Sequence, residues 1–453
     1  MSKKILNQAL GYYNSSFFQM HIATDEKIER ITDLSETAFA TLIHEYIHFI
    51  QDITTLHGLQ NIFNTIQYLK FAINEVYKTE NEFHIPIEFS KVNIGDLGYF
   101  RSRIYDISYG YTDSYDDVEI LDYHPLALPI DDRCIVNSMP VTELNIEIDG
   151  NYNDSYIFGA GCIYENMAYI MGRYMAQFGT VTSPDAPYNL ATKLAEKIYK
   201  EFAEDELNVL AVCDIALNSS NPGKVFVEII QEYKDKKIVP NDPRELYDDF
   251  YNRVFQNAEA TKDGHFFSQT NYLDNFIKMA ELVEKELYSY FRPAYPDAQD
   301  EFSVNMRLIN DWIASVFASV KNWRTQNPYF IIDMADGGER YANKTFVQFY
   351  NEFGLPFCTN NNNDGCFYHP KFLTNELHIS YFSAASQIFD ILNGGFEMCD
   401  FYCYCRKCKM EGTGDVVVDS RCATPWQRCN DARICPVATI WKHWKLIGHT
   451  PVL

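Results

Sequence analysis

Apolar residues recur at helical spacing through most of residues 188–321, and this pattern limits the possible folds more than any other feature of the chain. Proline- and asparagine-containing breaks divide the region into separate segments. The predicted helices span residues 35–52, 56–77, 160–177, 189–217, 223–236, 243–257, 272–290, 301–321 and 371–392. Short alternating segments at 17–23 and 141–149 predict strands, and the second continues through an Asp149-Gly150 turn into a return strand. The fold class is therefore predicted to be α+β and mainly helical.

The net charge of the chain limits the kinds of partner that it can bind. The chain has 38 Lys and Arg against 62 Asp and Glu, a formal net charge of -24, which opposes general binding to nucleic acid or anionic membranes. Its first residues, MSKKILNQALGYYN, lack the continuous apolar stretch of a secretory signal. Because no window of about 18 apolar residues occurs either, we expect a cytoplasmic protein with no membrane contact.

Residues 104–149 differ from their surroundings, with eleven acidic residues and one basic residue, Arg133. Their Tyr-rich, Pro-containing sequence predicts irregular loops and short strands. Two interpretations remain open, a solvated insertion and an acidic surface that steers a basic substrate.

The sequence His44-Glu45-Tyr46-Ile47-His48 fits HExxH, which places two imidazoles on one face of a helix where they can bind one zinc ion. At 100° per residue both histidines fall on a narrow polar stripe, opposite an apolar face. That arrangement predicts a helix with one face in the core and the other lining a cleft. Two surface histidines on an ordinary amphipathic helix are the alternative.

A catalytic zinc ion needs a third protein ligand. Glu165 is the stronger candidate, because it lies on a stripe of small residues that includes Gly161 and Gly172 and would let its helix approach the histidines. The alternative for this stripe is a simple packing face. His57 is the weaker candidate, since its spacing from His48 does not match the short metzincin form.

These residues resemble the gluzincin group of zincin metallopeptidases, in which HExxH on one helix is completed by a Glu from a later helix. The resemblance rests on the five motif residues, on Glu165 and on Asp52, which extends the motif to HExxHxxxD. Glu165 follows His48 by 117 positions, a longer interval than in the best-known gluzincins, and Tyr169 stands where the family has a helix-borne Asp.

The resemblance implies that His44, His48 and Glu165 hold a catalytic Zn²⁺ and that Glu45 is the general base in peptide-bond hydrolysis. Endopeptidase activity on an intracellular protein or peptide is the expected function, together with a regulatory partner of unknown kind. A non-catalytic binding or sensor protein with a zincin shell and a zinc hydrolase of a non-peptide amide are the alternatives. The candidates for stabilising the oxyanion are not distinguished by sequence: His265, Arg340, His369 and Tyr381.

Seven cysteines are concentrated near the C-terminus: Cys399, Cys403, Cys405, Cys408, Cys422, Cys429 and Cys435. Their uneven spacing favours metal binding over a disulfide framework, and Cys435 before Pro436 is a predicted helix cap. The predicted ligands of a structural zinc ion are Cys405, Cys408, Cys422, Cys429 and Cys435, with an iron–sulfur cluster as the lesser option. Residues 399–453 carry a net charge of +3, so nucleic-acid contact through this tail is the less favoured interpretation and a metal-held lid the favoured one.

The length of the chain exceeds what one core usually organises. We predict a zincin-like catalytic core at 1–187 with a small sheet beside the HExxH helix, a helical body at 188–395 that completes the cleft, and a Cys-rich metal-binding module at 396–453.

Overall fold

Helices make up most of the described chain, in agreement with the predicted α+β class. The computed structural model describes residues 5–8, 10–28, 31–89, 97–132, 137–150, 152–176, 183–251, 253–261, 264–291, 299–338, 342–362, 364–368, 377–412, 418–431 and 435–452. Across these ranges no helix has both the length and the apolar character needed to cross a membrane.

The helices are α1 (Glu36–Thr54), α2 (Leu56–Val76), α3 (Leu97–Tyr109), α4 (Ala160–Ala176), α5 (Leu190–Ile198), α6 (Lys200–Ala203), α7 (Glu206–Leu217), α8 (Pro222–Lys236), α9 (Arg244–Phe250), α10 (Tyr272–Tyr290), α11 (Glu301–Gln326), α12 (Phe330–Asp336), α13 (Lys344–Phe353), α14 (Leu377–Leu392), α15 (Tyr402–Glu411) and α16 (Pro436–His443). The strands are β1 (Ile5–Gln8), β2 (Gly11–Asn14), β3 (Gln19–Ile22), β4 (Glu82–His84), β5 (Val118–Pro129), β6 (Ser138–Ile148), β7 (Tyr152–Phe158), β8 (Phe255–Thr261), β9 (Gly264–Thr270), β10 (Leu355–Asn360), β11 (Gly365–Tyr368) and β12 (Thr450–Val452).

A five-stranded sheet of order β1-β2-β3-β10-β11 lies beside α1. Its β3 and β10 are parallel, with Phe357 opposite Gln19, and the other neighbours are antiparallel. A small sheet beside the HExxH helix was predicted, and this part of the prediction is confirmed. One sheet thus joins strands from the two ranges predicted as catalytic core and helical body, whose boundaries stay a prediction.

The first helix forms where its pattern predicted. Ser35 caps α1 by accepting a hydrogen bond from the backbone of Ala38, and the helix then runs to Thr54. Its apolar face lies in the core as expected. The polar stripe is also buried, because α2 and α4 cover α1 on the sides that the sheet leaves free. Both histidines consequently lie in the interior, and the alternative of two surface histidines does not apply.

The junction of α1 and α2 is tightly packed. A Cβ at Gly58 would lie 2.5 Å from the carbonyl oxygens of Gln51 and Asp52, so only glycine fits there. Arg324 of α11, fully buried, donates to the carbonyl of Thr54 at 2.7 Å and pairs with Asp214 of α7. These contacts satisfy the C-terminal end of α1 and fix its position relative to the helical body.

The acidic segment is more regular than predicted. Instead of irregular loops and short strands, the segment contains the long strands β5 and β6, which form a three-stranded antiparallel sheet with β7. The predicted Asp149-Gly150 turn is confirmed, and both residues have positive φ, 52° and 68°, as a primed hairpin turn requires. Buried and more exposed residues alternate along β6, because one face of this strand packs against α8. This packing accounts for the regular strand.

Two helix predictions were wrong in their extent. The segment predicted as one helix over 189–217 contains α5, α6 and α7, since the extended conformations of Tyr199 and Asp205 interrupt the helical backbone. The helix predicted over 243–257 ends at Phe250, and Phe255 begins β8, which pairs with β9. In the second case pairing with a neighbouring strand overrides the local helical pattern.

The described part of the C-terminal segment packs against β4 and the end of α10. Strand β12 pairs in parallel with β4, Trp441 of α16 stacks on Phe83 at 6.3 Å, and His443 lies 3.2 Å from the carbonyl oxygen of Tyr290. Cys435 caps α16, as predicted.

Candidate metal centre

Three predicted ligands meet at one point. The Nε2 atoms of His44 and His48 are 3.0 Å apart, and Oε2 of Glu165 lies 3.2 Å from the first and 3.5 Å from the second. Tetrahedral zinc with bonds of about 2.0 to 2.2 Å would place its ligand atoms about 3.3 to 3.6 Å apart. The donor set and its separations therefore fit a metal ion. His44, His48 and Glu165 are 7%, 1% and 3% exposed.

An outer hydrogen bond determines the tautomer of His48. Gln51 donates from its Nε2 to the carbonyl of Tyr164 at 3.0 Å, which leaves its Oε1 as the acceptor. That oxygen lies 2.8 Å from Nδ1 of His48, so Nδ1 carries the proton. The lone pair of Nε2 consequently faces His44 and Glu165. Such outer bonds to ligand histidines are typical of metal sites, where they orient the ring.

The protonation states of His44 and Glu165 favour the binding of a cation. Burial lowers the pKa of His44, which keeps its imidazole neutral, although the hydrogen bond with Glu165 acts in the opposite direction. Burial alone would raise the pKa of Glu165, but His48 and His44 lower it to about 2. The Glu165 carboxylate is therefore ionised and the His44 imidazole neutral, as metal binding requires of both residues.

Glu45 lies beside the cluster without a partner for its charge. The residue is 0% exposed, and neither carboxylate oxygen has a hydrogen bond among the described atoms. Burial and then the negative charge of Glu165 raise its pKa well above the ordinary value. A Cβ at Gly11 of β2 would lie 2.9 Å from Oε1 of Glu45, so the sheet closely confines this carboxylate. An unsatisfied buried carboxylate is costly unless a water molecule, a substrate or a cation completes it.

Helix α4 brings Glu165 to α1, but the predicted reason was wrong for both glycines of the small-residue stripe. The atoms nearest to a Cβ at Gly161 would be in Thr112 and Tyr109, at 2.4 and 3.0 Å, and none would lie within 4 Å at Gly172. Gly161 thus accommodates the segment after α3 rather than α1.

The weaker candidate ligand has another role. His57 is fully buried, with Nδ1 at 3.0 Å from the hydroxyl of Tyr164 and Nε2 at 3.1 Å from the hydroxyl of Ser108. Its ring also stacks on Tyr105 at 4.3 Å. These contacts make His57 a packing and hydrogen-bonding residue behind the cluster.

Asp52, the last residue of the extended motif, also forms hydrogen bonds inside the protein. Its Oδ2 accepts hydrogen bonds from the hydroxyl of Tyr13 at 3.0 Å and from the backbone of Ser16 at 2.7 Å. Burial raises the pKa of Asp52 to about 7, although both hydrogen bonds oppose the shift. The residue thereby joins α1 to the β2–β3 hairpin, beside a cavity with room for about one water molecule that His48 also lines.

A tyrosine that sequence reasoning missed lies next to the cluster. The ring of Tyr188, partly exposed in the loop before α5, is 6.2 Å from the ring of His44. Burial, and then the charges of Glu165 and Glu45, raise the pKa of its hydroxyl, which stays protonated as a donor. A single tyrosine in a loop has no periodic or motif signal, so only its position after the Glu165 helix could have suggested it.

The described part of the structure places none of the four oxyanion candidates at the cluster. Tyr381 is buried in α14, 5.8 Å from the ring of Phe302, and His265 lies in β9. Arg340 and His369 lie outside the described residues.

The seven cysteines of the tail are free thiols. Cys405 and Cys408 lie on α15, Cys422 and Cys429 in and after short 3₁₀ turns, and Cys435 at the start of α16. Within the described ranges, only His44, His48 and Glu165 have ligand atoms that all lie within 4.8 Å of one another. The five predicted cysteine ligands share one region but are not that close.

No family model matches the chain, and comparison with curated proteins and with solved structures also finds no match.

Proposed function

We propose that this chain is a zinc-dependent metallopeptidase of gluzincin type that favours internal peptide bonds of a protein or peptide. The observation that carries the proposal is the Glu45 carboxylate, buried and without a hydrogen-bond partner beside three convergent ligand atoms. A purely structural metal site needs the three ligands but has no use for a fourth, unsatisfied acid.

In this proposal His44, His48 and Glu165 hold the metal. When bound, Zn²⁺ would polarise the substrate carbonyl and make a water molecule more acidic. Glu45 accepts the proton of the attacking water and passes it to the leaving amine.

Tyr188 supplies the group that stabilises the oxyanion. Its hydroxyl remains protonated, and it is near enough to Glu45 and Glu165 for their charges to raise its pKa. A neutral donor beside the reacting carbonyl stabilises the negative charge that develops on oxygen. Partial exposure of Tyr188 also makes it the natural point of substrate approach.

The almost complete burial of the three ligands favours a second candidate, a site that stabilises the fold and takes no substrate. In that case the polar stripe of α1 would serve only to connect α1 to α4 and to the β2–β3 hairpin. The two candidates differ in what they require of Glu45.

The test compares Glu45→Gln with Glu36→Gln, a matched change at an exposed position of the same helix. Metal content and hydrolysis of a mixed peptide library, read by mass spectrometry, are measured for both. A metallopeptidase loses activity about 100- to 10,000-fold in Glu45→Gln while it keeps its metal, and Glu36→Gln behaves like the parent. Metal binding with no peptide cleavage by the parent chain, or full activity of Glu45→Gln, would contradict the proposal.

A further inference from the structure

We propose that Cys399, Cys405, Cys422 and Cys435 form a second metal site, a structural zinc centre with four thiolate ligands. It is independent of the His44 cluster and of any hydrolytic activity. It differs from the predicted cysteine set by including Cys399 and omitting Cys408 and Cys429.

Four separate stretches of chain contribute one cysteine each. Cys399 precedes α15, Cys405 lies within it, Cys422 lies in the 3₁₀ turn Ser420–Ala423, and Cys435 caps α16. The backbone of Cys399 donates a hydrogen bond to the carbonyl of Cys422 at 3.2 Å, which joins the first stretch to the third. Cys399 and Cys422 are buried, and the other two are partly buried.

The remaining pairs are close enough to interact electrostatically. Burial raises the pKa of Cys399, and the charges of Cys435 and Cys405 raise it further. Burial also raises the pKa of Cys405 to about 12, with added contributions from Cys435, Cys408 and Cys422. Cys422 acts on Cys435 in the same way. Together with the backbone hydrogen bond between Cys399 and Cys422, these interactions link all four cysteines, and bound zinc would hold them as thiolates.

Arg428 is a second observation that points to a charged group at this place. The side chain is 1% exposed, and its Nη2 lies 3.6 Å from Sγ of Cys422. The guanidinium also pairs with Asp419 and Asp431, whereas its Nε has no acceptor among the described atoms. Its positive charge also lowers the pKa of Cys405 and Cys435. A buried guanidinium with an unused donor is well suited to a tetrathiolate centre, whose net charge with zinc is negative.

Two of the other cysteines in the tail have different surroundings. The thiol of Cys429 donates to the carbonyl of Ala438 in α16 at 3.5 Å, a role for a protonated sulfur. Cys403 is exposed on α15. Cys408, three residues after Cys405, is the nearest substitute for Cys399, and the experiment must separate these two.

The four sulfur atoms are further apart than the ligand atoms of a bound metal ion. Among the described residues, only the ligand atoms of His44, His48 and Glu165 all lie within 4.8 Å of one another. Metal binding should therefore draw α15, the 3₁₀ turn and α16 together. Four soft thiolates in tetrahedral arrangement favour Zn²⁺. Since α16 packs on α14 and β12 pairs with β4, such a centre would fix the end of the chain to the helical body.

The test measures metal per chain in the full-length protein and in single Cys→Ser variants. Cys399→Ser, Cys405→Ser and Cys435→Ser should each lose about one zinc, while Cys403→Ser, Cys408→Ser and Cys429→Ser keep the parent content. His48→Ala should lose the other zinc and retain this one. Loss of zinc in Cys408→Ser with retention in Cys399→Ser would overturn the proposed set, and iron with acid-labile sulfide in the parent would overturn the choice of metal.

A measurement on the parent chain avoids variants that fail to fold. Thiols are alkylated before and after addition of a zinc chelator, and each cysteine is identified by peptide mass. Cys399, Cys405, Cys422 and Cys435 should become reactive together only after chelation, whereas Cys403 reacts at once. Labelling of the four that does not change with the chelator would contradict the site.

Discussion

Nδ1 of His48 lies 2.8 Å from Oε1 of Gln51, one helical turn further along α1. Gln51 is itself held by the backbone carbonyl of Tyr164, the residue before Glu165. One amide side chain therefore sets the tautomer of one ligand and connects it to the helix of another. Gln51 thus links His48 to the helix that carries Glu165. It contacts His48 through Nδ1, the ring nitrogen that faces away from the cluster.

Replacement of Gln51 by Leu should weaken zinc binding by about 10- to 100-fold, because His48 then loses the partner that keeps its Nε2 lone pair directed at the cluster. Competition with a fluorescent zinc chelator measures the change. Thr41→Val is the control, since Thr41 lies on the same stripe and hydrogen-bonds only to the Thr37 carbonyl of its own helix. Equal affinities for Gln51→Leu and the parent would show that this bond does not orient the ligand.

Tyr188→Phe tests the proposed oxyanion donor. Removal of one such donor should lower kcat about 100-fold or more with a smaller effect on KM, because the hydroxyl acts mainly in the transition state. Metal content should not change, since Tyr188 is not a ligand in this scheme. Tyr152→Phe, at an exposed position of β7, is the matched control. A Tyr188→Phe enzyme with parental kcat would remove the residue from the mechanism.

Two glycine substitutions should have opposite effects. Gly11→Ala would place a Cβ 2.7 Å from the carbonyl of His21 and 2.9 Å from Glu45, so we expect a loss of about 1 to 3 kcal/mol in stability and a displaced Glu45. Gly172→Ala meets nothing within 4 Å and lies inside α4, so a gain of about 0.5 to 1 kcal/mol is expected. Urea unfolding of both variants provides the comparison, and a neutral Gly11→Ala would show that β2 can shift away from α1.

Asp52 should make stability depend on pH. Its pKa is about 7 in the folded protein against an ordinary value of 3.8, so the folded state binds more protons in that interval. The contribution of the protonated group is present at low pH and is lost as the pH rises through about 7. Asp52→Asn can keep both hydrogen bonds to one oxygen and should be more stable than the parent at pH 8, by on the order of a few kcal/mol.

A metal chelator is added to all samples, so that metal binding does not contribute to the difference in stability between Asp52→Asn and the parent. Asp248→Asn, an exposed change on α9, serves as the control and should show the parental pH dependence. If Asp52→Asn and the parent lose stability in parallel between pH 5 and pH 8, Asp52 is not the group responsible.

Sequence reasoning predicted that His44, His48 and Glu165 lie together, because the information for each residue is local. His44 and His48 are one helical turn apart, and Glu165 lies on a helix with a clear periodic pattern, so all three could be identified without knowing how the helices pack. Tyr188 could not be found in this way, since its position depends on how the chain returns to the cluster after α4. The burial of the polar stripe on α1 was missed for the same reason, because it arises from contacts with α2 and α4.

Errors in secondary structure have a similar origin. No glycine or proline marks the break at Tyr199, so the helical pattern alone runs on through it. Residues after Phe250 have helical spacing in sequence, but β9 offers a hydrogen-bonding partner that the pattern cannot reveal. The hairpin at Asp149-Gly150 was predicted correctly because its turn residues carry the required backbone conformation in their own chemistry.

The parallel pairing of β3 with β10 has a consequence for biosynthesis. His21 and Thr359 are hydrogen-bonded across 338 positions, so the sheet beside α1 cannot be completed until most of the chain has left the ribosome. Contacts of such long sequence separation form late and slow folding. A nascent chain would therefore carry His44, Glu45 and His48 for most of its synthesis beside an incomplete sheet, which lacks β10 and β11 until residues 355–368 have emerged.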